Sequence, residues 1–374
     1  MHCSRKSLSR GKPNRTITAI VFAIVSGALP AAAQDAHEAA YEPSVSLGGL
    51  IQGRYAYEYH PGEHRDQFYL RRAWLDARAD IASGTDARLQ LDTSNGDVGV
   101  RDAWLNYRLN DTLSTRLGQQ VVPFGLPRSV GSPNRLFTEL SLAGNHFEVP
   151  QGRDVGLSVA ATGRNNNWQI RGGVFDGRGR IDRRDDSRPD NPGRLVSLRG
   201  SYALVGDLPG HAGTEGRSVE PTLTLGAGAK TANRNHLRDW SLGLVDDIEC
   251  CRANWQATTV DFIAGYGLTA LSGAAFKRWT SPAEFGRYQD RGLEVQLAQA
   301  LPGTSLEAVA RHSFLHRDTD NDLNGAPEAG RDKEWSAGVN LYHQGNRRKT
   351  QLIASSRDSD EAHWEAQLQH QVRF

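Results

Sequence analysis

The sequence predicts an all-β protein, a transmembrane antiparallel β-barrel of about sixteen strands. Three observations predict this fold class. Apolar and polar residues alternate with a period of two in many segments, and the alternation continues to the last residue, Phe374. Beyond residues 1–33, no run approaches the roughly eighteen apolar residues of a transmembrane helix. The connections between the alternating segments also form a short set and a long, charged set, as in outer-membrane barrels.

The N-terminal residues 1–33 have the composition of a secretory signal peptide. Five basic residues precede the apolar run Ile17–Leu29, and Ala31, Ala32 and Ala33 supply the small residues of a cleavage site. Cleavage there would leave a short periplasmic segment, residues 34–44, followed by a barrel formed by residues 45–374. We therefore expect the chain to cross the inner membrane and to reside in the bacterial outer membrane.

Charge and cysteine content argue against two other classes of protein. Of 44 basic residues, five lie in the expected signal peptide, so 39 remain against 43 acidic residues. A mature chain with net negative charge is not expected to bind nucleic acid. After the signal peptide the only cysteines are the adjacent Cys250 and Cys251. They are too few for a disulfide-stapled scaffold, and no role is predicted for them.

The first two predicted strands, Val45–Tyr59 and Gln67–Ile81, show the alternation clearly. In the first strand Ile51 and Tyr55 fall on the apolar face, whereas Arg54 falls on the polar face. A helix would need apolar residues three and four positions apart, but here they are two apart. Both segments are long enough to cross a bilayer, which takes a tilted strand of roughly nine to eleven residues.

The same pattern predicts fourteen further strands. They are residues 86–93, 99–109, 112–121, 153–161, 167–175, 194–204, 219–230, 256–265, 268–277, 289–300, 304–314, 333–343, 348–357 and 364–374. An even count places both chain termini on one side of a closed barrel. Two regions leave alternatives open. The boundary near Tyr266 is blurred, and the connection Val205–Ser218 is longer than a typical periplasmic turn, so the strand assignment there is unsettled.

A soluble β-sandwich or a lectin-like secreted protein would also show alternation. The apolar face of such a protein must fill a core, whereas many apolar-face residues here are Ala, Thr and Gly. A surface that faces lipid tolerates small residues because it does not pack against a second sheet. The composition of this face therefore favours the membrane barrel.

Several motifs in this order resemble the phosphate-selective porin family of outer-membrane channels. They are Gly53-Arg54, F-Y-L-R-R-A-W-L at 68–75, D-A-W-L at 102–105, G-Q-Q at 118–120 running into P-F-G at 123–125, R-D-V-G-L at 153–157 and G-V-F-D-G at 173–177. The resemblance implies a sixteen-stranded barrel, a long third external loop that folds into the lumen, and a homotrimer. It also implies a water-filled channel for passive diffusion of small hydrophilic solutes, with inorganic phosphate, polyphosphate or other small anions as the permeating solute.

Arginine dominates the charges of the predicted lumen. Alternation and the family motifs give these pore-lining candidates: Arg54, Arg72, Arg78, Arg88, Arg108, Arg153 and Arg171. Alternation also turns Arg116 and Arg199 inward. A guanidinium carries a permanent charge and a fork of donors that matches phosphate or carboxylate oxygens. Acidic residues, Asp102 and Glu58 among them, point inward too, which leaves open a general or cation-tolerant diffusion porin.

The segment 122–152 is the predicted constriction. Its prolines and glycines predict that it lacks regular structure, and a loop of this length is usually functional. Its charged residues are Arg128, Arg135, Glu139 and Glu148. The alternative is an external loop that contacts lipopolysaccharide.

No catalytic constellation is apparent, since neither G-x-S-x-G nor H-E-x-x-H occurs. We therefore expect no enzyme, no cofactor and no metal site, although a closed structural barrel and an outer-membrane enzyme remain rival interpretations. The expected partners besides the solute are outer-membrane lipid, lipopolysaccharide and the β-barrel assembly machinery. The terminal aromatic Phe374 is the expected assembly signal.

Overall fold

Sixteen antiparallel strands close into a barrel in the computed structural model of the chain. The structure describes residues 41–94, 96–148, 152–177, 179, 194–236, 252–282, 287–318, 330–358 and 363–374. The expected signal peptide and both Cys250 and Cys251 lie outside these residues. Residues 43–374 form one compact unit, and the predicted fold class is confirmed.

Each strand pairs with the next one along the chain. The strands are β1 (Ser44–His60), β2 (Glu63–Ala82), β3 (Thr85–Asp92), β4 (Gly99–Arg108), β5 (Leu113–Val121), β6 (Arg153–Thr162), β7 (Trp168–Phe175), β8 (Leu195–Val205), β9 (Val219–His236), β10 (Arg252–Gly267), β11 (Thr269–Pro282), β12 (Tyr288–Ala300), β13 (Leu306–Asp318), β14 (Gly330–Gln344), β15 (Arg348–Asp358) and β16 (His363–Arg373). The unsettled boundary near Tyr266 falls at a tight turn, since only Leu268 separates β10 from β11.

The last strand closes the barrel against the first. The register of β1 and β16 runs from Leu50 opposite Arg373 to Tyr59 opposite Trp364. The terminal residue continues this ladder, because the amide of Phe374 donates to Gly49 O at 3.2 Å and the amide of Gly49 donates to Phe374 O at 3.0 Å. No edge strand is left unpaired, as a sheet in a bilayer requires.

The connection between β8 and β9 explains the unsettled strand assignment. It comprises residues 206–218, and it turns back into the barrel, so we call it the second inward loop. The amide and hydroxyl of Thr214 both donate to Glu307 Oε1, at 2.6 and 2.7 Å. Ala212 is buried inside the barrel wall. The length of the connection therefore reflects an inward excursion and not an error in strand count.

A longer segment, which precedes the second inward loop in the chain, also enters the barrel. Residues 122–152, here called the lumen loop, leave β5 and return to β6 on the end opposite the chain termini. The predicted lack of regular structure is wrong in part, because the loop contains helix α1 (Leu126–Ser129), a 3₁₀ turn (Ser132–Asn134) and helix α2 (Leu142–Glu148). Pro127 and Pro133 are the second residues of α1 and of the 3₁₀ turn, where the missing N–H of proline removes no helical hydrogen bond.

The apolar core lies inside the barrel, between the lumen loop and one half of the wall. Phe147 of α2 stacks on Phe276 of β11, with ring centroids 5.1 Å apart, and Phe124 joins the same cluster. A second cluster joins Leu136 and Phe137 to residues of β10–β15 and to the second inward loop. The lumen loop therefore fills the part of the lumen next to these strands.

The outward positions of the strands form an exposed apolar surface. Leu47, Phe68 and Leu75 are 82 %, 83 % and 56 % exposed, and a water-soluble protein would not leave so many large apolar side chains uncovered. Within the described residues, no helix is long and apolar enough to cross a membrane.

Candidate functional site

The open part of the lumen is a cavity of about 680 Å³. It extends from the inner face of β1 and the C-terminal Phe374 to the lumen loop, and β2–β8 form most of its wall. The wall opposite is covered by the lumen loop itself. The cavity is therefore lined by one half of the barrel and by the exposed side of that loop.

Arginine supplies the positive charge of this cavity. The lining holds ten arginines and three aspartates, and within the described residues it holds no lysine or glutamate. The arginines are Arg78, Arg88, Arg101, Arg116, Arg128, Arg135, Arg153, Arg171, Arg199 and Arg373. The lining is strongly cationic even though the chain as a whole is nearly neutral.

The three aspartates of the lining are already engaged in ion pairs. Asp102 accepts from Arg153 Nε at 3.0 Å and from Arg88 Nη1 at 3.4 Å, and Asp76 also pairs with Arg88. Asp261 binds Arg199 with both oxygens, at 2.6 and 2.9 Å. These carboxylates hold arginine side chains in place and leave little negative charge to attract cations.

Five arginines of the lining have no carboxylate partner within ion-pair distance in the part of the chain that the structure describes. They are Arg116, Arg128, Arg135, Arg171 and Arg373. Burial lowers the pKa of Arg135 to about 9, and the neighbouring cations Arg72 and Arg128 act in the same direction. The cations are thus crowded enough to repel each other, and an anion in the cavity would relieve that repulsion.

Glu139 ties the lumen loop to the first two strands. Its carboxylate accepts from Arg71 Nε and from Arg72 Nη2 at 3.3 Å, and it forms an ion pair with Arg54 Nη2 at 2.8 Å. Burial alone would raise the pKa of Glu139, but the three arginines outweigh burial and hold that pKa well below its usual value. The carboxylate therefore stays ionised and the anchor stays closed at neutral pH.

Two β-bulges bring in arginines that strict alternation would place on the lipid face. In β2 the pairing with β1 slips between Gln52 and Gly53, so Arg71 is an extra residue and turns inward beside Arg72. In β4 a slip opposite Gln90 makes Arg101 the extra residue, and its guanidinium lies 3.7 Å above the Trp74 ring. The sequence carries a signal for both, since each is a charged residue at a position that alternation assigns to lipid.

The inward lysines of the described strands, Lys230 and Lys349, serve the lumen loop and not the cavity. Lys230 Nζ donates to Phe147 O at 2.7 Å, and Lys349 Nζ donates to Arg135 O at 2.6 Å. Arg311 likewise donates to Glu139 O at 2.9 Å. Cationic donors thus satisfy carbonyl groups along the loop, which fixes its path along β9–β16.

The predicted site residues occupy four different places. The cavity lining contains Arg78, Arg88, Arg153 and Arg171, together with Arg128 and Arg135 of the lumen loop. Arg54 and Arg72 lie behind that loop, 3 % and 6 % exposed, and bind Glu139. Arg108 is exposed near the end that holds the chain termini and does not line the cavity. Phe374 borders the cavity at that same end.

Glu148 takes no part in the cavity lining. It is 1 % exposed at the end of α2, and a Cβ atom on Gly125 would lie 2.0 Å from its Oε1. Burial raises the pKa of the Glu148 carboxyl above its usual value. Any side chain at position 125 would therefore force the Glu148 carboxyl to move.

The sequence that forms most of this cavity matches the model of a known protein family. The family model described as phosphate-selective porin O and P matches residues 46–216. Over these residues the chain resembles outer-membrane porins of this family. The matched residues run from β1 to the second inward loop and contain every arginine of the cavity lining except Arg373. The family resemblance predicted from the motifs is confirmed over this range.

Solved structures similar to the porin are also outer-membrane proteins. An anion-selective porin from Comamonas acidovorans is 14% identical, with 89% of this chain and 100% of that chain covered and a TM-score of 0.63. A loop L8 deletion mutant of OmpT from Vibrio cholerae is 10% identical, with 89% and 99% covered and a TM-score of 0.62. Salmonella typhi OmpF in complex with daunomycin is 14% identical, with 88% and 97% covered and a TM-score of 0.59. At these identities the likeness shows the shared barrel fold.

Among curated proteins, no sequence matches the porin. The family match and the barrel fold together place the protein in the bacterial outer membrane, where it forms a channel. The predicted localisation is confirmed.

Proposed function

We propose that the porin is a passive channel for small anions and that the arginine wall selects them. One observation carries this proposal: the cavity lining contains ten arginines against three aspartates, and all three aspartates are paired with arginine. Charges of one sign in a cleft with low-dielectric walls concentrate the opposite ion. Rings of Arg or Lys are an established basis of anion selectivity in pores.

The forked guanidinium favours oxyanions over chloride. Phosphate presents several oxygens to which neighbouring arginines can donate in parallel, and such bidentate bonds replace the hydration that the ion loses. We therefore propose inorganic phosphate and short polyphosphates among the solutes. The printed description of the matching family and the anion selectivity of the Comamonas porin support this choice.

The pore-lining role belongs to the arginines that reach the cavity. We propose that Arg78, Arg88, Arg153 and Arg171 contact the solute, and that Arg128 and Arg135 form the narrowest part from the side of the lumen loop. Arg54 and Arg72 act indirectly, because they hold Glu139 and through it the loop.

Planar-bilayer measurements test the proposal. The purified porin should give stepwise ohmic currents, and a KCl gradient should give a reversal potential on the anion side. Added phosphate, and pyrophosphate more strongly, should reduce the chloride current. A reversal potential on the cation side would establish a cation-tolerant diffusion porin instead, and the absence of current steps would establish a closed structural barrel.

The remaining partners follow from the fold class and the family. We propose a homotrimer in the outer membrane, contacts with outer-membrane lipid and lipopolysaccharide, and assembly by the β-barrel assembly machinery through Phe374. A signal peptide at residues 1–33 would deliver the chain to that machinery. Mass photometry of the detergent-solubilised porin would distinguish a trimer from a monomer.

A further inference from the structure

One part of the outer barrel surface carries a row of basic residues on the face that meets lipid. On β11, β12, β13 and β14 the outward residues Lys277, Arg291, His316 and Arg331 are direct neighbours in register. Lys333 lies on β14, two residues from Arg331 and on the same face. We call these five residues the basic row.

The basic row lies near the external end of the barrel. Each residue is within a few positions of the strand end that faces away from the chain termini, and long loops emerge from that end in outer-membrane barrels. Arg291, Arg331 and Lys333 are exposed, and Lys277 is half-buried with its ammonium 4.6 Å from the Trp279 ring. The row therefore lies at the level of the outer-leaflet head groups.

Among the residues that the structure describes, the cations of the basic row form no ion pair. Asp318 and Asp358 are the outward carboxylates nearest to it along the sheet, but neither forms an ion pair with the row in the described residues. The inward cations of the same strands differ in this respect, since Arg278 pairs with Asp290 and Arg317 with Asp332, both at 2.6 Å. The outward charge is left for a ligand.

An apolar surface continues directly below the row. The next outward residues toward the membrane centre are Leu293 on β12 and Phe314 on β13. Val295, His312 and Trp335 follow in register, and Trp335 has 61 % of its surface exposed. On β1 and β16, which follow β14 and β15 around the barrel, the outward positions at this end include the aromatic residues Tyr57, Tyr59 and Trp364. An amphiphile with an anionic head and apolar chains matches both parts of the surface on β11–β14.

From this arrangement we infer that the basic row is a binding site for the phosphorylated glycolipid of the outer leaflet. Adjacent strands lie about 4.8 Å apart, so the four residues in register span roughly 14 Å. A disaccharide head group with a phosphate at each end can meet Lys277 and Arg291 toward one end of such a row and Arg331 at the other, while its acyl chains cover Leu293 and Phe314. Arg291 and Arg331 are the arginines suited to bidentate phosphate contacts.

The test compares binding of lipid A with two phosphates and of fully dephosphorylated lipid A. The full-length mature porin in detergent is titrated with each lipid, and bound lipid is counted by native mass spectrometry. Arg291→Gln combined with Arg331→Gln is compared with Arg347→Gln combined with Arg348→Gln, which removes two exposed arginines at the periplasmic end. Unchanged conductance and unchanged heat-modified mobility on gels establish that both variants are folded.

We expect the first variant to lose preference for the phosphorylated lipid by tenfold or more, since each basic residue near an anionic surface contributes roughly fivefold. The control variant should keep the preference. Equal losses in both variants, or an equal loss for dephosphorylated lipid A, would overturn the proposal. A result in which phosphatidylglycerol binds the row as tightly as lipid A would also overturn it, because the site would then read charge alone. A change of oligomeric state in the first variant without a change in lipid binding would show that the row is buried between subunits. That result would also overturn the proposal.

Discussion

Two kinds of arginine occupy the lumen at the scale of single residues. Those held by Asp76, Asp102 and Asp261 have fixed positions and reduced charge. Those without a carboxylate, such as Arg116 and Arg171, keep their full charge for the solute. The Arg116 guanidinium lies 3.8 Å above the Trp104 ring, which orients it without neutralising it. Selectivity should therefore depend more on the second kind than on the first.

Replacement of both Arg116 and Arg171 by alanine should lower the anion-to-cation permeability ratio. We expect about a fivefold drop, which corresponds to roughly 1 kcal/mol of lost attraction in a solvated site. Reversal potentials in a KCl gradient measure it. Arg108→Ala removes an exposed arginine outside the cavity lining and serves as the control. An equal drop in the control would mean that total charge, and not the cavity lining, sets selectivity.

Glu139→Gln should loosen the lumen loop. The substitution leaves Arg54, Arg71 and Arg72 crowded together without their shared carboxylate. We expect a loss of about 2 kcal/mol in the free energy of unfolding, below the value for fully buried pairs because the Glu139 side chain is 32% exposed. Urea unfolding measures this loss, and open-channel noise should rise. Unchanged open-channel noise and an unchanged free energy of unfolding would show that the apolar contacts suffice to hold the lumen loop in place.

At the scale of secondary-structure elements, alternation predicted the strands and their inward faces well but not the bulges. Both bulges add one residue to a strand, and a slip of one residue turns a side chain to the other face. Arg71 and Arg101 therefore remained unidentified. The path of the lumen loop was equally beyond reach, because its anchors join residues far apart in sequence, such as Lys349 and Arg135. Sequence composition could delimit this loop but could not show which wall it covers.

The entry of the lumen loop depends on a glycine of β9. A Cβ atom on Gly228 would lie 2.1 Å from Phe124 O, so Gly228→Ala must push the start of the loop by about 1 Å to reach van der Waals contact. We expect a smaller single-channel conductance, because the displaced segment moves toward the cavity. Gly200→Ala is the matched control, since the nearest atom to its added Cβ is Ile170 Cγ1 at 3.9 Å. Wild-type conductance in the Gly228 variant would contradict this reasoning.

At the scale of the whole molecule, closure of the barrel depends on the pairing of the two terminal strands. The predicted period-two pattern of β16 is matched by its register with β1, and Phe374 adds two backbone hydrogen bonds with Gly49. The side chain of Phe374 remains 59 % exposed. The residue thus has a structural role through its backbone and leaves its ring available for recognition.

Phe374→Ala separates these two roles. It keeps the backbone bonds to Gly49, each of which contributes about 1 kcal/mol, but it removes the ring. If the ring is the assembly signal, the yield of folded porin in outer membranes should fall as far as it does on deletion of Phe374, whereas Phe374→Tyr should assemble normally. Reversal potentials of the assembled fraction should match the wild type. Normal yield for the alanine variant would assign the role to the backbone alone.

The one-sided position of the lumen loop divides the inner wall into two populations with different tolerance to change. Along β9–β16 most inward residues pack the loop, so substitutions of these residues would be eliminated in any selection for surface-expressed protein. Along β2–β8 most inward residues line the cavity, so their substitutions would persist until nutrient supply limits growth. A saturation library selected under phosphate-rich and phosphate-poor conditions would therefore divide the barrel into two halves. In one half the tolerated substitutions depend on phosphate supply, and in the other half they do not.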